Sequence, residues 1–237
     1  MEEVKIALNK LEQDKINNIS IINFIKNNRL LSVDIVGNSV LIRGKSDRVW
    51  VYISSDNKDE LYIIKNKLSN DDVNFGATDD WMVAFLAKER KILWDIPVLK
   101  FYLPNDKSLP PVKYTASPLT IEDSQTIYNN YNLKEYVSKK YIIERIQKGI
   151  SAGIFEDNKL VSWGITQDDG AIGFLHTLDN YRRKGYGINV VLSMIYKLLQ
   201  QGELPFAYIE PSNKNSINLF LKLGFKENKK VHWFQLK

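Results

Sequence analysis

Residues 181–187 read YRRKGYG, and the apolar-striped, helix-forming stretch INVVLSMIYKLLQ (188–200) follows directly. Three consecutive basic side chains precede two glycines that are separated by a single residue. The start of a helix presents unpaired backbone N–H groups and a partial positive charge, and glycine lets a ligand approach the main chain closely. Phosphate is a common ligand of such an arrangement. The stretch therefore predicts that a phosphate or pyrophosphate binds at the N-terminus of a helix.

A second interpretation of the same stretch is an ordinary strand-to-helix turn, in which the glycines only allow tight packing. The spacing matches neither of the common nucleotide-binding motifs. G-x-x-x-x-G-K-[ST] is absent, and G-x-G-x-x-G is absent because Asn189 and Val190 follow Gly187. The glycine pair alone does not decide between the two interpretations.

Composition places the chain among ordinary globular proteins, with 237 residues, 44% hydrophobic and 26% charged. It has no cysteine, which excludes disulfides, thiolate metal sites and cysteine nucleophiles and favours a reducing, cytoplasmic location. Its two histidines make a histidine-rich metal centre unexpected, so we expect no metal. The start shows no secretory signal pattern and no run of about 18 apolar residues occurs, so we expect no membrane partner.

Charge is distributed unevenly along the chain. Residues 1–112 carry 16 basic and 16 acidic side chains, and residues 113–237 carry 17 and 12, so the net charge of +5 lies in the second half. The excess indicates either an anionic ligand for that half or a lysine-rich solvated surface. Basic residues do not alternate with a run of exposed aromatics, so a nucleic-acid partner is not expected.

A proline-rich polar segment, LPNDKSLPPV (103–112), divides the chain. We therefore predict two domains, residues 1–109 and 110–237. Hydrophobic periodicity predicts the order β-α-α-β-β-β-α-β-α-β in the second domain, with two hairpin turns between its three central strands. The first domain gives the similar order α-α-β-β-β-α-β-α-β. Both orders indicate an α+β fold with an α/β-type three-layer arrangement.

Two motifs resemble a known superfamily. R-x-x-G-x-G at Arg182–Gly187 is similar to the acyl-CoA-binding motif of the GNAT N-acyltransferases, and NKNSINLFLKLGF (213–225) is similar to their N-x-x-[AS]-x-x-L-Y-x-x-x-G-F block. The resemblance covers roughly residues 113–237. The stretch SWGITQDDGAIGFLHTLDNYRRKGYG is closest to the glycine N-acyltransferase-like, or FR47-like, branch. The first domain, which lacks R-x-x-G-x-G, would then be a degenerate GNAT-like copy.

The resemblance implies how acyl-CoA, acetyl-CoA above all, is bound. Main-chain amides of the loop would hold the pyrophosphate, with basic side chains beside it; these residues are Arg182, Arg183, Lys184, Gly185, Tyr186 and Gly187. The strand end at Leu175 and Thr177 would pair with the pantetheine arm and place the thioester carbonyl near an amide donor. Asn213 either contacts the pantetheine or occupies a helix-cap position.

Two residues that the superfamily uses in catalysis are replaced here. The resemblance places Phe220 beside the cofactor, where a tyrosine commonly donates a proton to the thiolate, and Ala171 stands where a glutamate serves as base. His176 and Glu210 are the candidate bases, and Asp169 lies in the turn before Ala171. The alternative for His176 is a packed or exposed histidine on a strand without a catalytic role. The alternative for Glu210 is an ordinary acidic residue in a turn. Strand alternation places residues 171 and 176 on opposite faces unless a bulge intervenes. Trp163 lines an acceptor pocket or belongs to the core.

The resemblance thus implies an N-acyltransferase that moves an acetyl or other short acyl group from acyl-CoA to the primary amine of a small molecule or amino acid. A variable loop at Asn129–Glu135 is expected at the acceptor pocket, and the chain is expected to be a monomer or homodimer. A non-catalytic CoA-binding sensor or scaffold is the alternative. An aminoacyl-tRNA-dependent transferase of tandem fold is disfavoured by the intact loop.

Overall fold

A computed structural model describes residues 2–105 and 108–237. The predicted linker at 103–112 includes Asp106 and Lys107, which lie outside the described residues. The helices are α1 (Glu2–Glu12), α2 (Lys15–Asn27), α3 (Lys58–Asn66), α4 (Asp80–Leu86), α5 (Ser124–Asn129), α6 (Lys139–Lys148), α7 (Tyr186–Gln200) and α8 (Lys214–Lys222). The strands are β1 (Arg29–Val36), β2 (Ser39–Lys45), β3 (Val49–Ser54), β4 (Asn74–Asp79), β5 (Ile92–Tyr102), β6 (Ser151–Glu156), β7 (Lys159–Thr166), β8 (Ile172–Thr177), β9 (Phe206–Ile209) and β10 (Lys226–Leu236).

Apart from the first strand of the second half, the predicted order of elements is the observed one, and the two predicted hairpins are present as antiparallel pairs of β6 with β7 and β7 with β8. The strand predicted at 114–118 is not a regular strand. In the described chain it is reduced to a single β-bridge, between Ser117 and Gly153.

Backbone contacts divide the chain into two compact units. The first unit comprises Met1–Lys100, Ile209–Asn213 and Glu227–Lys237, and the second comprises Phe101–Tyr208 and Lys214–Lys226. The last strand, β10, therefore belongs almost entirely to the first unit, although it lies at the far end of the chain. The division into domains of residues 1–109 and 110–237 stays a prediction.

The second unit is built on a sheet of order β9-β8-β7-β6, with helices on both faces. Gly164 on β7 allows close packing of Val190 and Met194 from α7 on one face. Its neighbours Trp163 and Ile165 point to the other face, where they pack with Ile127 and Ile142 from α5 and α6. Side chains that alternate along β7 thus contact the helices of one layer and then of the other. The predicted three-layer arrangement is confirmed.

The first unit repeats this plan with the strand order β1-β2-β3-β4-β10-β5. Core residues of α1 and α2 pack on one face of the sheet against Val40 and Tyr52. Core residues of α3 and α4 pack on the opposite face against Leu41 and Val51. Because β10 pairs with β4 in antiparallel register, the chain terminus completes this sheet.

Candidate functional site

The N-terminus of α7 is open to a ligand. Gly185 has φ +86° and occupies the N-cap position, and among residues 2–105 and 108–237 no side chain caps this helix. The first helical hydrogen bond runs from Asn189 N to Gly185 O, so the N–H groups of the preceding turn have no helical acceptor. Arg183 also has a left-handed backbone, with φ +65°. Turns with such residues direct successive N–H groups into one concavity, which suits an anion.

Asn189 fixes the position of this loop. Its side chain is buried, at 2% exposure, in the otherwise apolar stripe of α7. Its amide nitrogen donates to Gly185 O at 2.8 Å, and its Oδ1 accepts from Lys113 N at 2.6 Å and Tyr114 N at 3.2 Å. The asparagine thus ties the glycine of the loop to the segment that follows the predicted linker. Asn189 lies outside the motifs from which the site was predicted, and its one sequence signal is a polar residue within the apolar stripe of the helix.

The three basic side chains of the loop differ in their partners. Arg182 forms an ion pair with Asp179 at 2.8 Å and its Nε donates to Thr177 O at 3.2 Å. Lys184 lies 3.8 Å from Glu156 and over the Tyr181 ring at 5.0 Å. Arg183 is exposed and makes no ion pair within the part of the chain that the structure describes. Arg183 is therefore the basic residue with its charge most available to an anion.

The end of β8 meets the start of α7. The Thr177 hydroxyl shares a hydrogen bond of 2.7 Å with Ser162 Oγ. A Cβ added to Gly187 would lie 3.3 Å from Thr177 Oγ1 and 3.6 Å from Leu219 Cδ1. A side chain at position 187 would press on the Thr177 hydroxyl, so glycine favours the close approach of the strand end and the helix start.

A bulge interrupts β8. Trp163 is opposite His176 and Ile165 is opposite Gly173, so one residue of β7 faces two residues of β8, Phe174 and Leu175. Phe174 has φ +50°, which is rare for an aromatic residue. Because of the extra residue, His176 faces the same side of the sheet as residues 173 and 171. The bulge is thus the condition under which His176 can occupy the side expected for the missing glutamate.

The strand β8 pairs only briefly with its parallel neighbour β9. In the described chain their one register pair is Ile172 with Ala207, so the part of β8 toward Leu175 and Thr177 has no register pair with β9. The Thr177 carbonyl accepts instead from Arg182 Nε at 3.2 Å. Strand backbone without a paired neighbour can hydrogen-bond to an extended ligand.

His176 lies in an open cavity of about 650 Å³, shared with residues of the α5–α6 loop. The lining also includes Asn129, Tyr131, Lys134 and Arg182. The imidazole stacks on Trp163 with centroids 4.9 Å apart and an interplanar angle of 27°. Burial lowers the pKa of His176, and Arg182 lowers it further, against an opposing effect of Asp179. The neutral, proton-accepting form is therefore favoured at neutral pH.

The predicted loop Asn129–Glu135 thus lines the cavity that contains His176. Trp163 is not a lining residue of this cavity; it is a core residue at 1% exposure that supports the imidazole.

The two replaced positions are buried. Phe220 on α8 is 2% exposed and packs edge-on against Phe225 at 4.8 Å. Ala171 is fully buried, and its N–H donates to Asp169 Oδ1 at 3.1 Å. Burial beside Asp168 raises the pKa of Asp169 to about 7, although the Tyr208 hydroxyl partly stabilises the charged form. Neither Phe220 nor Ala171 can donate or accept a side-chain proton.

The remaining predicted site residues, Glu210 and Asn213, follow β9 directly. By backbone contacts they fall in the first unit, and the Asn213 N–H donates to Glu210 O at 2.9 Å. Asn213 immediately precedes α8. This is where a helix N-cap residue lies, and a helix-cap position was the alternative to a pantetheine contact. Their roles as base and cofactor contact stay predictions.

In the first unit, α3 follows three strands as α7 does in the second unit, but its start is closed to phosphate. Asn57, the N-cap of α3, accepts hydrogen bonds from the N–H groups of Asp59 and Glu60, at 2.8 and 3.1 Å. Both first-turn residues are acidic and would repel a phosphate. The first unit therefore keeps the plan of the fold without an anion site at this helix.

The described residues contain neither a metal-binding cluster nor a membrane-spanning helix. Within 2–105 and 108–237, no group of three or more histidine, cysteine or acidic side chains is arranged to hold a metal ion. Over the same residues, no helix has the length and apolar character needed to cross a membrane.

Comparisons with known proteins agree with this geometry. Residues 149–234 match the family model described as FR47-like protein. A Drosophila protein of known structure aligns over 100% of this chain and 96% of its own, with a TM-score of 0.82 and 18% identity. A GCN5-related N-acetyltransferase from Kribbella flavida aligns over 94% and 98%, with a TM-score of 0.57 and 16% identity.

A tandem GNAT protein from the clavulanic acid biosynthesis pathway aligns over 92% of this chain and 86% of its own, with a TM-score of 0.51 and 11% identity. No curated protein sequence shows significant similarity. The chain thus has the GNAT fold, and its residues 149–234 match the FR47-like family model.

Proposed function

We propose that the chain is an acyl-CoA-dependent N-acyltransferase that transfers an acetyl or other short acyl group to the primary amine of a small molecule or amino acid. The observation that carries this proposal is the uncapped start of α7, with its left-handed Arg183 and Gly185. Coenzyme A presents a diphosphate to such a site, and the exposed Arg183 adds a positive charge beside it. The end of β8, which has no register pair with β9 beyond Ile172 in the described chain, would pair with the amide-bearing pantetheine arm.

The reaction would be a direct transfer in a ternary complex. The neutral amine attacks the thioester carbonyl carbon, forming the C–N bond while the carbonyl oxygen becomes an oxyanion. Backbone N–H groups at the bulge, where the register of β8 against β7 shifts, would be suited to stabilise that oxyanion. Collapse of the tetrahedral species breaks the C–S bond and releases the CoA thiolate.

His176 would accept the proton that the attacking nitrogen loses. Its position in the cavity and its lowered pKa both suit a base near neutrality. Because Phe220 cannot supply a proton, the thiolate would leave unassisted, which its moderate basicity permits. Glu210 is the second candidate for the base.

The cavity also favours a class of acceptor. Asparagines, the ion pair of Arg182 with Asp179, and Lys134 line it. A small polar amine that carries a carboxylate therefore fits better than an apolar one, with Lys134 as the cation that faces the carboxylate. Glycine and other amino acids have these groups. The acceptor class rests on the same site as the acyl-transfer proposal.

The test is release of free CoA thiol from acetyl-CoA across a panel of amines, with wild type, His176→Gln and Glu210→Gln. We expect turnover on a carboxylate-bearing amine and its loss, with CoA binding intact, in one of the two variants. Unchanged turnover in both variants would contradict the assigned bases.

A non-catalytic CoA-binding protein is the second candidate function. The specific observation that favours it is the burial of Phe220 and Ala171 at positions where the superfamily commonly has an acid and a base. CoA binding without turnover on any amine of the panel would establish this alternative.

A further inference from the structure

The first unit contains a cavity of its own, of about 260 Å³, which the acyl-transfer proposal does not use. It lies where the parallel strands β3 and β4 end. Within the described residues, these strands are in register at one pair, Val51 with Phe75. Their terminal residues Ser54 and Asp79 both line the cavity. Ala77, another lining residue, has φ +46°, so the end of β4 departs from regular strand geometry.

The interior of this cavity combines an apolar floor with polar walls. Leu11 and Tyr52 are buried lining residues of the floor. On one wall, Asn18 Oδ1 accepts from Ser54 Oγ at 2.7 Å, and the Asn18 amide donates to Leu11 O at 3.1 Å. These bonds hold the wall in place without a ligand. A preformed concavity with a few oriented polar groups is the usual form of a small-molecule site.

The rim of the cavity offers charges of both signs. Asp56 is exposed, and its carboxylate makes no hydrogen bond or ion pair with residues 2–105 or 108–237. Lys10 donates to the neutral amide of Asn38 at 3.3 Å and makes no ion pair of 4 Å or less with the described residues, although its charge also acts on the Glu60 carboxylate. Lys229 and Asp79 neutralise each other at 2.7 Å, and both oxygens of the Asp14 carboxylate accept hydrogen bonds from Asn17. Asp56 is thus the rim carboxylate without a partner among the described residues, and Lys10 is the rim ammonium without an ion pair there.

We propose that this cavity binds a small zwitterion, a free amino acid in its chemical class. The ligand's ammonium would pair with Asp56 and its carboxylate with Lys10, while its side chain would enter toward the floor. The volume suits a molecule of that size and is small for a cofactor. A phosphorylated ligand is disfavoured because Asn57 and two acidic residues close the adjacent start of α3. The proposal does not depend on the acyl-transfer activity.

Calorimetry on the full chain tests this proposal, with the standard amino acids and two analogues of any binder, its carboxamide and its deaminated acid. We expect one or a few amino acids to bind, and each analogue, lacking one charge, to bind about tenfold more weakly. Lys10→Gln should weaken binding of the amino acid about tenfold without changing the affinity for the carboxamide. Asp56→Asn should weaken binding of the amino acid by a similar factor without changing the affinity for the deaminated acid.

Matched control variants are Lys5→Gln, on the same helix as Lys10, and Asp71→Asn, since both residues are exposed and outside the cavity. They should bind like the wild type. Binding should also persist in Gly185→Ala, which alters the second unit only. No heat with any amino acid up to about 10 mM, or equal binding by Lys10→Gln, Asp56→Asn and wild type, would overturn the proposal.

Discussion

Replacement of Gly185 by alanine separates the phosphate-binding role of the loop from its structural role. At φ +86° an L-residue is strained, and the added Cβ meets nothing closer than 3.8 Å, so the cost is conformational rather than steric. A left-handed backbone costs an alanine roughly 1–2 kcal/mol. For a chain of this length that corresponds to a Tm lower by roughly 2–8 °C.

The effect on ligand binding should be larger than this stability loss suggests. Relief of the strain rotates the peptide groups on both sides of residue 185 and turns N–H groups away from the diphosphate. Each charge-assisted hydrogen bond contributes about 1.5–3 kcal/mol, so loss of one or two should weaken CoA about ten- to a hundredfold or more. Calorimetric titration of CoA and a thermal melt measure the two effects on one sample.

Gly202→Ala is the matched control. Gly202 also lies in the second unit, has φ +74°, and has no atom within 4 Å of an added Cβ. It should lower the Tm by a similar amount and leave CoA affinity unchanged. If both variants bind CoA as the wild type does, the loop amides do not hold the diphosphate and the reasoning is refuted.

Three further predictions concern single residues. Arg183→Gln should weaken CoA several-fold at low salt, with little change in Tm and a smaller difference at high salt, because the side chain is exposed and has no ion-pair partner in the described chain. His176→Gln should lower turnover about a hundredfold or more. In the wild type, the acid limb of kcat/KM should have its midpoint below 6.5, since the pKa of His176 is lowered, and that limb should disappear in the variant. Asp169→Asn tests the buried carboxyl: a folded-state pKa raised from 3.8 to about 7 favours the protonated form. Stability should therefore fall as pH rises from about 4 to above 7, by up to about 4 kcal/mol, and denaturant titrations should show this dependence in the wild type but not in the variant. Three results would contradict these arguments, one for each residue. They are an unchanged Kd of CoA for Arg183→Gln at low salt, a wild-type kcat/KM that does not fall at acid pH, and the same dependence of unfolding free energy on pH in the wild type and Asp169→Asn.

The fold could be predicted from the sequence because its elements have strong local signals. Turn residues at Asp157-Asn158 and Asp168-Asp169-Gly170 separate three strand-like runs and so specify the two hairpins, and Gly185 and Gly202 bound α7. Local patterns do not specify which strand completes which sheet. The pairing of β10 with β4, more than a hundred residues apart in sequence, is a tertiary choice.

The candidate site could be predicted only where it depends on consecutive residues. The phosphate loop is continuous in sequence, so its motif was visible. The bulge at Phe174 was not, because it is defined by register against β7, and the side on which His176 lies depends on it. Likewise, the burial that raises the pKa of Asp169 comes from the packing around the turn, which no local pattern encodes.

The most direct test of the central claim is a calorimetric comparison of CoA, dephospho-CoA and pantetheine with the wild-type chain. If main-chain amides at Arg183–Gly187 hold the diphosphate, the main loss of affinity, about a hundredfold or more, falls between dephospho-CoA and pantetheine. Similar affinities for these two ligands, or no heat with CoA itself, would contradict the account.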